Sequence, residues 1–451
     1  MNLFQKYNVP GPRYTSYPTV PYWNKTPTEK QWVSSISSSL NQSIQANSGA
    51  ALYIHIPFCE SLCTYCGCNT RITRNHAVEQ PFVDTILKEF SLYREKLDSK
   101  FLVSELHLGG GTPTFLSPKE LQRMIEGILK HSNIHEEHEF SVEADPRVTT
   151  DSHLEILREL GFRRLSLGIQ DFDPKVQEVV HRVQTVDAVK AITDKARQIG
   201  FNSINFDLIY GLPFQTLGSI EQTIRAVETL KPDRIAFYGY AHVPWIKPSQ
   251  RRFTEDDLPT GDQKRALYEL GRQMLEESGY LEIGMDHFAL ETDSLWKSTQ
   301  QKKLHRNFMG YTSRQVSPLV GLGVSAIGDS WNMFMQNEKS LENWQKKVNE
   351  GELPILRGHV LDDEDLVLRR HILNLMTVFE TSWNDQETYS SFLESVPDKL
   401  REFESDGLLE IRGRHCRVLD KGRAFLRNIC MAFDARLSRN VPETRLFSQT
   451  I

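Results

Sequence analysis

Long apolar runs are missing from this chain: no stretch approaches the roughly 18 consecutive apolar residues that a membrane-spanning helix needs. The opening residues, MNLFQKYNVPGPRYTSYPT, lack the apolar core of a signal peptide, so a cytoplasmic location is expected. A basic excess is also missing. Lysine and arginine number 53 against 59 acids, giving a net charge of −6, and no global positive field recruits nucleic acid or an anionic membrane. Internal repeats and low-complexity tracts are absent. Cysteine is scarce, six in 451 residues, and four of the six fall within ten residues (59–68). A disulfide framework spreads its cysteines along a small secreted domain, so this clustering points to metal or cluster ligation. Cys416 and Cys430 stand alone and read as ordinary buried thiols.

What is present is an ordinary globular composition, 39% hydrophobic and 25% charged. The length suits two or three domains, or one large barrel with additions. From residue 51 a short apolar run, a special loop and a helical stretch recur. The runs are ALYIHIPF, SELHLGGG, FSVEADP, RLSLGIQ, SINFDLIYG and RIAFYGY. Between them, segments such as PFVDTILKEFSLYREKL carry apolar residues at helical spacing. Strands alternating with helices imply parallel strands with right-handed crossovers. The fold class is therefore α/β, closed as a partial (β/α) barrel; an open doubly wound sheet is the alternative. Three regions are expected: an arm over 1–50 with a helix near 30–45, the barrel with its extension over 51–357, and a smaller, mainly helical domain over 358–451. Within the extension, GYLEIGMDHFA and LVGLGVSAIGDS are further strands. In the last region a helix is expected over 362–382, followed by helix, hairpin and helix in the order of a winged-helix module. Residues 401–451 hold ten basic and seven acidic side chains, too small a surplus for DNA, and a substrate-closing module is the better reading.

Cys59, Cys63 and Cys66 form C-x3-C-x2-C on the loop after the first strand. A cubane iron–sulfur cluster normally takes four cysteines, so three leave one iron open. The alternative is structural zinc held by these three and Cys68, but zinc favours two separated ligand pairs. Gly109-Gly110-Gly111 follows the second strand, where backbone can approach a ligand closely. Gly321 and Gly323 suggest a dinucleotide fingerprint, but the next glycine is Gly328, so G-x-G-x-x-G is not met and a nicotinamide site is rejected. Glu143, Gln170, Asp207 and Ala241 fall at or near the ends of strands three to six, where barrel enzymes build their sites.

The segments YIHIPFC (53–59), CGCN (66–69), GGGTPT (109–114), IQDF (169–172), DLIYGLP (207–213), MDHFA (285–289) and RNICM (427–431), with the arm GPRYTSYPT (11–19), resemble the oxygen-independent coproporphyrinogen III oxidases of the radical S-adenosylmethionine (SAM) superfamily. The likeness runs from about residue 5 to the C-terminus. It implies anaerobic oxidative decarboxylation of two propionates of coproporphyrinogen III to vinyls in heme biosynthesis. It also implies one [4Fe–4S] cluster on Cys59, Cys63 and Cys66 and two SAM molecules. Tyr53, Gly110, Glu143 and Ile327 would contact the SAM on the cluster. Tyr65, Gly111, Thr112, Gln170, Arg182, Asp207 and Ala241 would line the second site. Arg182 sits in HRVQ, where the family more often has Asn before the Arg and Glu after it. Cys68 matches a fourth cysteine needed for activity but not for the cluster. Arg13 and His305, Arg306 and Asn307 are candidates for the porphyrinogen carboxylates; the alternative for either group is a plain structural ion pair. Partners would be the substrate, a reductant and an electron acceptor, with no nucleic acid and no membrane, and the chain is expected to be a monomer. A heme-binding chaperone sharing the three-cysteine loop is the alternative; such relatives usually lack the 11–19 arm and carry an aromatic residue at the Cys68 position.

Overall fold

The computed structural model describes residues 3–97, 100–383, 390–442, 444 and 446–450. Six strands, β1 (Ala50–Ile56), β2 (Leu102–Gly110), β3 (Asn133–Ala144), β4 (Phe162–Gln170), β5 (Ser203–Tyr210) and β6 (Arg234–Gly239), run parallel in sequence order. Helices α1 (Glu79–Lys96), α2 (Pro118–Leu129), α3 (Asp151–Glu159), α4 (Val186–Gln198) and α5 (Leu217–Leu230) make the crossovers. Beyond β6 the sheet continues antiparallel through β8 (His287–Ala289) to β7 (Leu281–Gly284). At the other edge β9 (Leu319–Gly323) pairs parallel with β1, and β10 (Ile327–Asp329), β11 (Met333–Asn337) and β12 (Ile355–Val360) follow antiparallel. The twelve strands lie in the order β12-β11-β10-β9-β1-β2-β3-β4-β5-β6-β8-β7, so the barrel is partial.

Side chains alternate across these strands, as the period of two requires. Phe140 and Val142 on β3, Leu165 and Leu167 on β4, and Phe206 and Leu208 on β5 are buried in the core beneath the helices. Their neighbours Ser141, Glu143, Ser166, Asn205 and Asp207 face the barrel interior, where they line a cavity. The alternation therefore puts apolar residues outside, against helices, and polar residues inside.

The N-terminal segment serves two cores. Its helix Glu29–Gln45 starts on a Thr28–Gln31 capping box and buries Trp32, Ile36 and Leu40 against the barrel. Tyr7, Tyr14 and Tyr17 instead join the C-terminal core, with Leu368, Leu375, Leu400 and Phe425. The C-terminal part holds α6 (Asp363–Val378), β13 (Glu380–Ser382), α7 (Ser391–Ser405), β14 (Leu409–Arg412) and β15 (His415–Val418), followed by a short helix, Leu426–Met431.

Two expected boundaries move. The helix expected over 362–382 stops at Val378, because Phe379 takes a left-handed conformation (φ 59°) and 380–382 pair with 415–417 as an edge strand. The division at 357/358 falls inside β12, whose Gly358 pairs with Met335, so the chain leaves the sheet only after Val360.

Candidate active site

The loop after β1 is shaped by its own backbone bonds. Arg71 N donates to Pro57 O and Thr73 N to Cys59 O, while Cys66 N closes a turn on Cys63 O and Thr64 N reaches across to Val180 O. This fixes Cys59, Cys63, Cys66 and Cys68 on one wall of a cavity of about 590 Å³, a size suited to a small-molecule ligand.

Donors surround the sulfurs. Arg182 Nη1 lies 3.6 Å and Arg147 Nη2 3.7 Å from Cys63 Sγ, and Cys68 N lies 3.4 Å from Cys66 Sγ. Thr112 Oγ1 is 3.4 Å from Cys59 Sγ. Hydrogen bonding from Cys68 brings the Cys66 thiol down to about 6, and the same contact pushes Cys68 well above its ordinary value. Burial pushes Cys59 up to about 11, a proton that metal binding has to displace. Among the described residues, no three His, Cys, Asp or Glu side chains converge on a point that one metal ion could occupy. The donor set, three cysteine thiols of one loop lining one cavity, would suit an iron–sulfur cluster.

The end of the glycine run passes beside the cysteine loop, and the strand-end residues line the same cavity. A Cβ on Gly110 (φ 115°) would lie 2.8 Å from the His55 ring, and one on Gly111 would lie 2.7 Å from Phe58 O. Glycine is therefore required for β2 to pass this close to the cysteine loop. Glu143 Oε2 accepts from Gly110 N at 3.1 Å and its Oε1 accepts from His107 Nε2 at 3.3 Å. Desolvation pushes this carboxyl up, but those bonds outweigh it and hold it below the ordinary carboxylate range. Asp207 accepts from Ser166 at 2.9 Å and from Asn205 at 3.0 Å, and burial raises it to about 6. Gln170 ends β4 with φ 69°, a strained conformation of the kind found at functional sites.

The comparisons with known proteins fit this geometry. Residues 53–227 match the family model of the Radical SAM superfamily. The oxygen-independent coproporphyrinogen III oxidase of Pseudomonas aeruginosa is 39% identical, over 97% of this chain and 95% of that protein. The Escherichia coli protein of the same name is 37% identical, over 100% of this chain and 98% of that one. The solved structure of coproporphyrinogen III oxidase from Escherichia coli, described as a radical SAM enzyme, superposes with a TM-score of 0.88 at 36% identity, covering 94% of this chain and 97% of that chain. The chain belongs to the oxygen-independent coproporphyrinogen III oxidase family.

For a member of that family, most of the site residues expected from the sequence share one cavity: Cys59, Cys63, Tyr65, Cys66, Cys68, Gly110, Gly111, Thr112, Glu143, Gln170, Arg182 and Asp207 all line it. Three stand outside its lining. The Tyr53 hydroxyl donates to His55 Nδ1 at 3.0 Å, and its ring stacks on His107. Ala241 O accepts from Gln250 Nε2 at 3.3 Å, the amide that also holds Tyr65 O at 3.0 Å. Ile327 lies two strands from β1, packed with Trp23 and Phe334. Arg13 is also remote, donating to Gly239 O at 2.8 Å and lining a separate small pocket.

Sequence reading missed His107, Asp145 and Arg147. His107 links Ser141 (2.7 Å) to Glu143. Asp145 bridges Arg147 at 2.6 Å and Arg182 at 3.0 Å. Asp145 and Arg147 follow directly on β3, and their position just past a barrel strand was the available signal.

Proposed function

We infer that this protein carries out the oxygen-independent oxidation of coproporphyrinogen III, converting two propionate side chains to vinyls and yielding protoporphyrinogen IX and CO2 in heme biosynthesis. The observation that carries the reading is the one cavity joining three cysteines of one loop, the Gly110–Gly111 close approach and the carboxylates of Glu143 on β3 and Asp207 on β5. Near-complete coverage of relatives bearing that name supports it. When bound, the cluster and SAM supply a 5′-deoxyadenosyl radical reactive enough to take hydrogen from the propionate β-carbon.

The residues would divide the work as follows. Cys59, Cys63 and Cys66 hold the cluster, with the Arg147 and Arg182 guanidiniums and the Cys68 N–H directed at the sulfurs. Glu143, kept ionised by His107 and Gly110 N–H, would take a cationic group of the first SAM beside Gly110, with Tyr53 stacked on His107 behind it and Ile327 outside the lining. Asp207 suits ribose hydroxyls in a second SAM site with Tyr65, Gly111, Thr112, Gln170 and Ala241. Arg182 belongs to that site through its position, although its guanidinium is already committed to Asp145 and Gly168 O. Cys68, in the cavity lining and hydrogen-bonded to Cys66, would act on substrate. The chain works as a monomer in the cytoplasm, with an external reductant and electron acceptor, without nucleic acid or membrane. Among the described residues, no helix is long and apolar enough to cross a membrane.

The heme-chaperone reading is the competitor. The arm opposes it: Gly11 and Pro12 carbonyls accept from the buried Arg427, and Arg13 donates to Gly239 O at the end of β6. The arm is thus built into the junction of the C-terminal part and the barrel. Anaerobic turnover with coproporphyrinogen III, SAM and a reductant decides the matter. Vinyl products are expected; heme binding without vinyl products would favour the chaperone.

A further inference from the structure

Five arginines are buried among the described residues: Arg182, Arg234, Arg306, Arg369 and Arg427. Four are answered. Arg182 pairs with Asp145, Arg234 with Asp293 and Arg369 with Asp329. Arg427 donates to the carbonyls of Pro12 and Gln449. Arg306 is not answered. It is 7% exposed, and its Nε and Nη1 are sealed from solvent with no hydrogen-bond partner. Its guanidinium lies 4.5 Å from the Tyr311 ring centroid. A cation–π contact of this kind recovers only part of what a buried cation loses in leaving water. Among the described residues no carboxylate forms an ion pair with this cation, and its third nitrogen, Nη2, is not among the sealed atoms.

The place of this charge matters. Arg306 lies on the short strand His305–Asn307, paired with Gly310–Thr312. Tyr311 and Thr312 of that partner strand line the same cavity as the cysteine loop, as do Tyr238 and His287, whereas Arg306 itself stands against the Tyr311 ring outside the lining. Asp207, the carboxylate nearest this wall in the lining, accepts from Ser166 and Asn205. His287 Nδ1 donates to Met285 O at 2.8 Å, which leaves Nε2 to accept from the Tyr238 hydroxyl at 3.2 Å. Burial, with the Arg306 charge beside it, holds this imidazole neutral, its pKa brought down to about 3. Asp286, next in the chain, faces Arg13 at 3.6 Å.

We propose that Arg306 is the anchor for a substrate carboxylate, and specifically for a propionate of the porphyrinogen that is not being decarboxylated. This rests on the functional reading above and names the group that recognises the substrate. A carboxylate held by a guanidinium is stabilised as the anion, and its loss as CO2 would forfeit the pair, so the anchored propionate is a spectator. Such a contact acts equally on bound substrate and transition state, and it sets KM rather than kcat.

The test uses the anaerobically reconstituted enzyme and its Arg306→Met and Arg306→Lys variants. Losing one charge-assisted contact is expected to raise KM for coproporphyrinogen III about 10- to 100-fold in Arg306→Met, with kcat within a few-fold, and Arg306→Lys should recover part of the loss. Fluorescence quenching by coproporphyrin III should weaken in parallel, while quenching by its tetramethyl ester stays as in the unsubstituted enzyme. Because the free protein buries an unpaired cation, Arg306→Met should also melt higher than the unsubstituted protein without substrate; a residue with a plain structural role would melt lower. An unchanged KM in Arg306→Met, or an equal loss of ester and free-acid binding with a lower melting point, overturns the anchor. If the unsubstituted enzyme releases no CO2 from coproporphyrinogen III, the functional reading fails; if it does and Arg306→Met keeps its KM, only the anchor fails.

Discussion

The guanidinium of Arg182 and the carboxylate of Asp145 form a buried pair, with Nη1 3.0 Å from Oδ2. Asp145 also holds Arg147, and both arginines reach Cys63 Sγ. The pair thus ties the cysteine loop to the end of β3. Asp145→Ala leaves two guanidiniums facing each other without their anion. A loss of about 3 kcal/mol is expected, measured by urea unfolding of the metal-free protein. An unchanged midpoint would show that the pair holds nothing in place.

The four clustered cysteines should separate by role. Serine at Cys59, Cys63 or Cys66 should lose iron after anaerobic reconstitution, read by iron assay and visible absorption. Cys68→Ser should keep both and lose turnover. Iron loss in Cys68→Ser equal to that in Cys63→Ser would make Cys68 a ligand and undo this division.

Glu105 lies in the cavity floor with its Oε1 unpartnered, and burial raises its carboxyl to about 8 from an ordinary 4.5. Between those two values the folded chain keeps a proton that the unfolded chain has released, so stability falls as pH rises through the interval. Glu105→Gln removes this dependence. The variant should gain on the unsubstituted protein by about 1 kcal/mol per pH unit between pH 5 and 8, and the gap should level off above. Parallel stability curves for the two proteins would contradict the assignment.

Arg427 gathers the carbonyls of Gly11, Pro12 and Gln449, so it holds the arm and the C-terminal end together. Arg427→Met should make the segment around residues 8–16 a site of early proteolysis while the barrel resists. Equal cleavage of both proteins would assign the arm's placement to Tyr7, Tyr14 and Tyr17 alone.

The cysteine loop and the glycine run were legible because each is a local motif whose spacing carries its chemistry. Glu143 and Asp207 were expected from their place at or near the ends of barrel strands, and both line the cavity. His107, Asp145 and Arg147 were not, because their meaning comes from sheet register: His107 meets Ser141 across β2 and β3, and Asp145 meets Arg182 across 37 residues. The strand Glu380–Ser382 was hidden for a similar reason. It continues an amphipathic helical pattern, and only its pairing with His415–Arg417 makes it a strand. The unpaired state of Arg306 cannot be read from a sequence at all, since it depends on what every other side chain does.

In the proposed reaction a hydrogen atom leaves a propionate β-carbon and the neighbouring carboxylate departs as CO2, with one electron passing to an acceptor. The most direct measurement follows β-deuterated coproporphyrinogen III through anaerobic turnover with SAM, a reductant and an electron acceptor. Deuterium should appear in 5′-deoxyadenosine, with at least two 5′-deoxyadenosines and two CO2 per protoporphyrinogen IX. Unlabelled 5′-deoxyadenosine formed without CO2 would contradict the account.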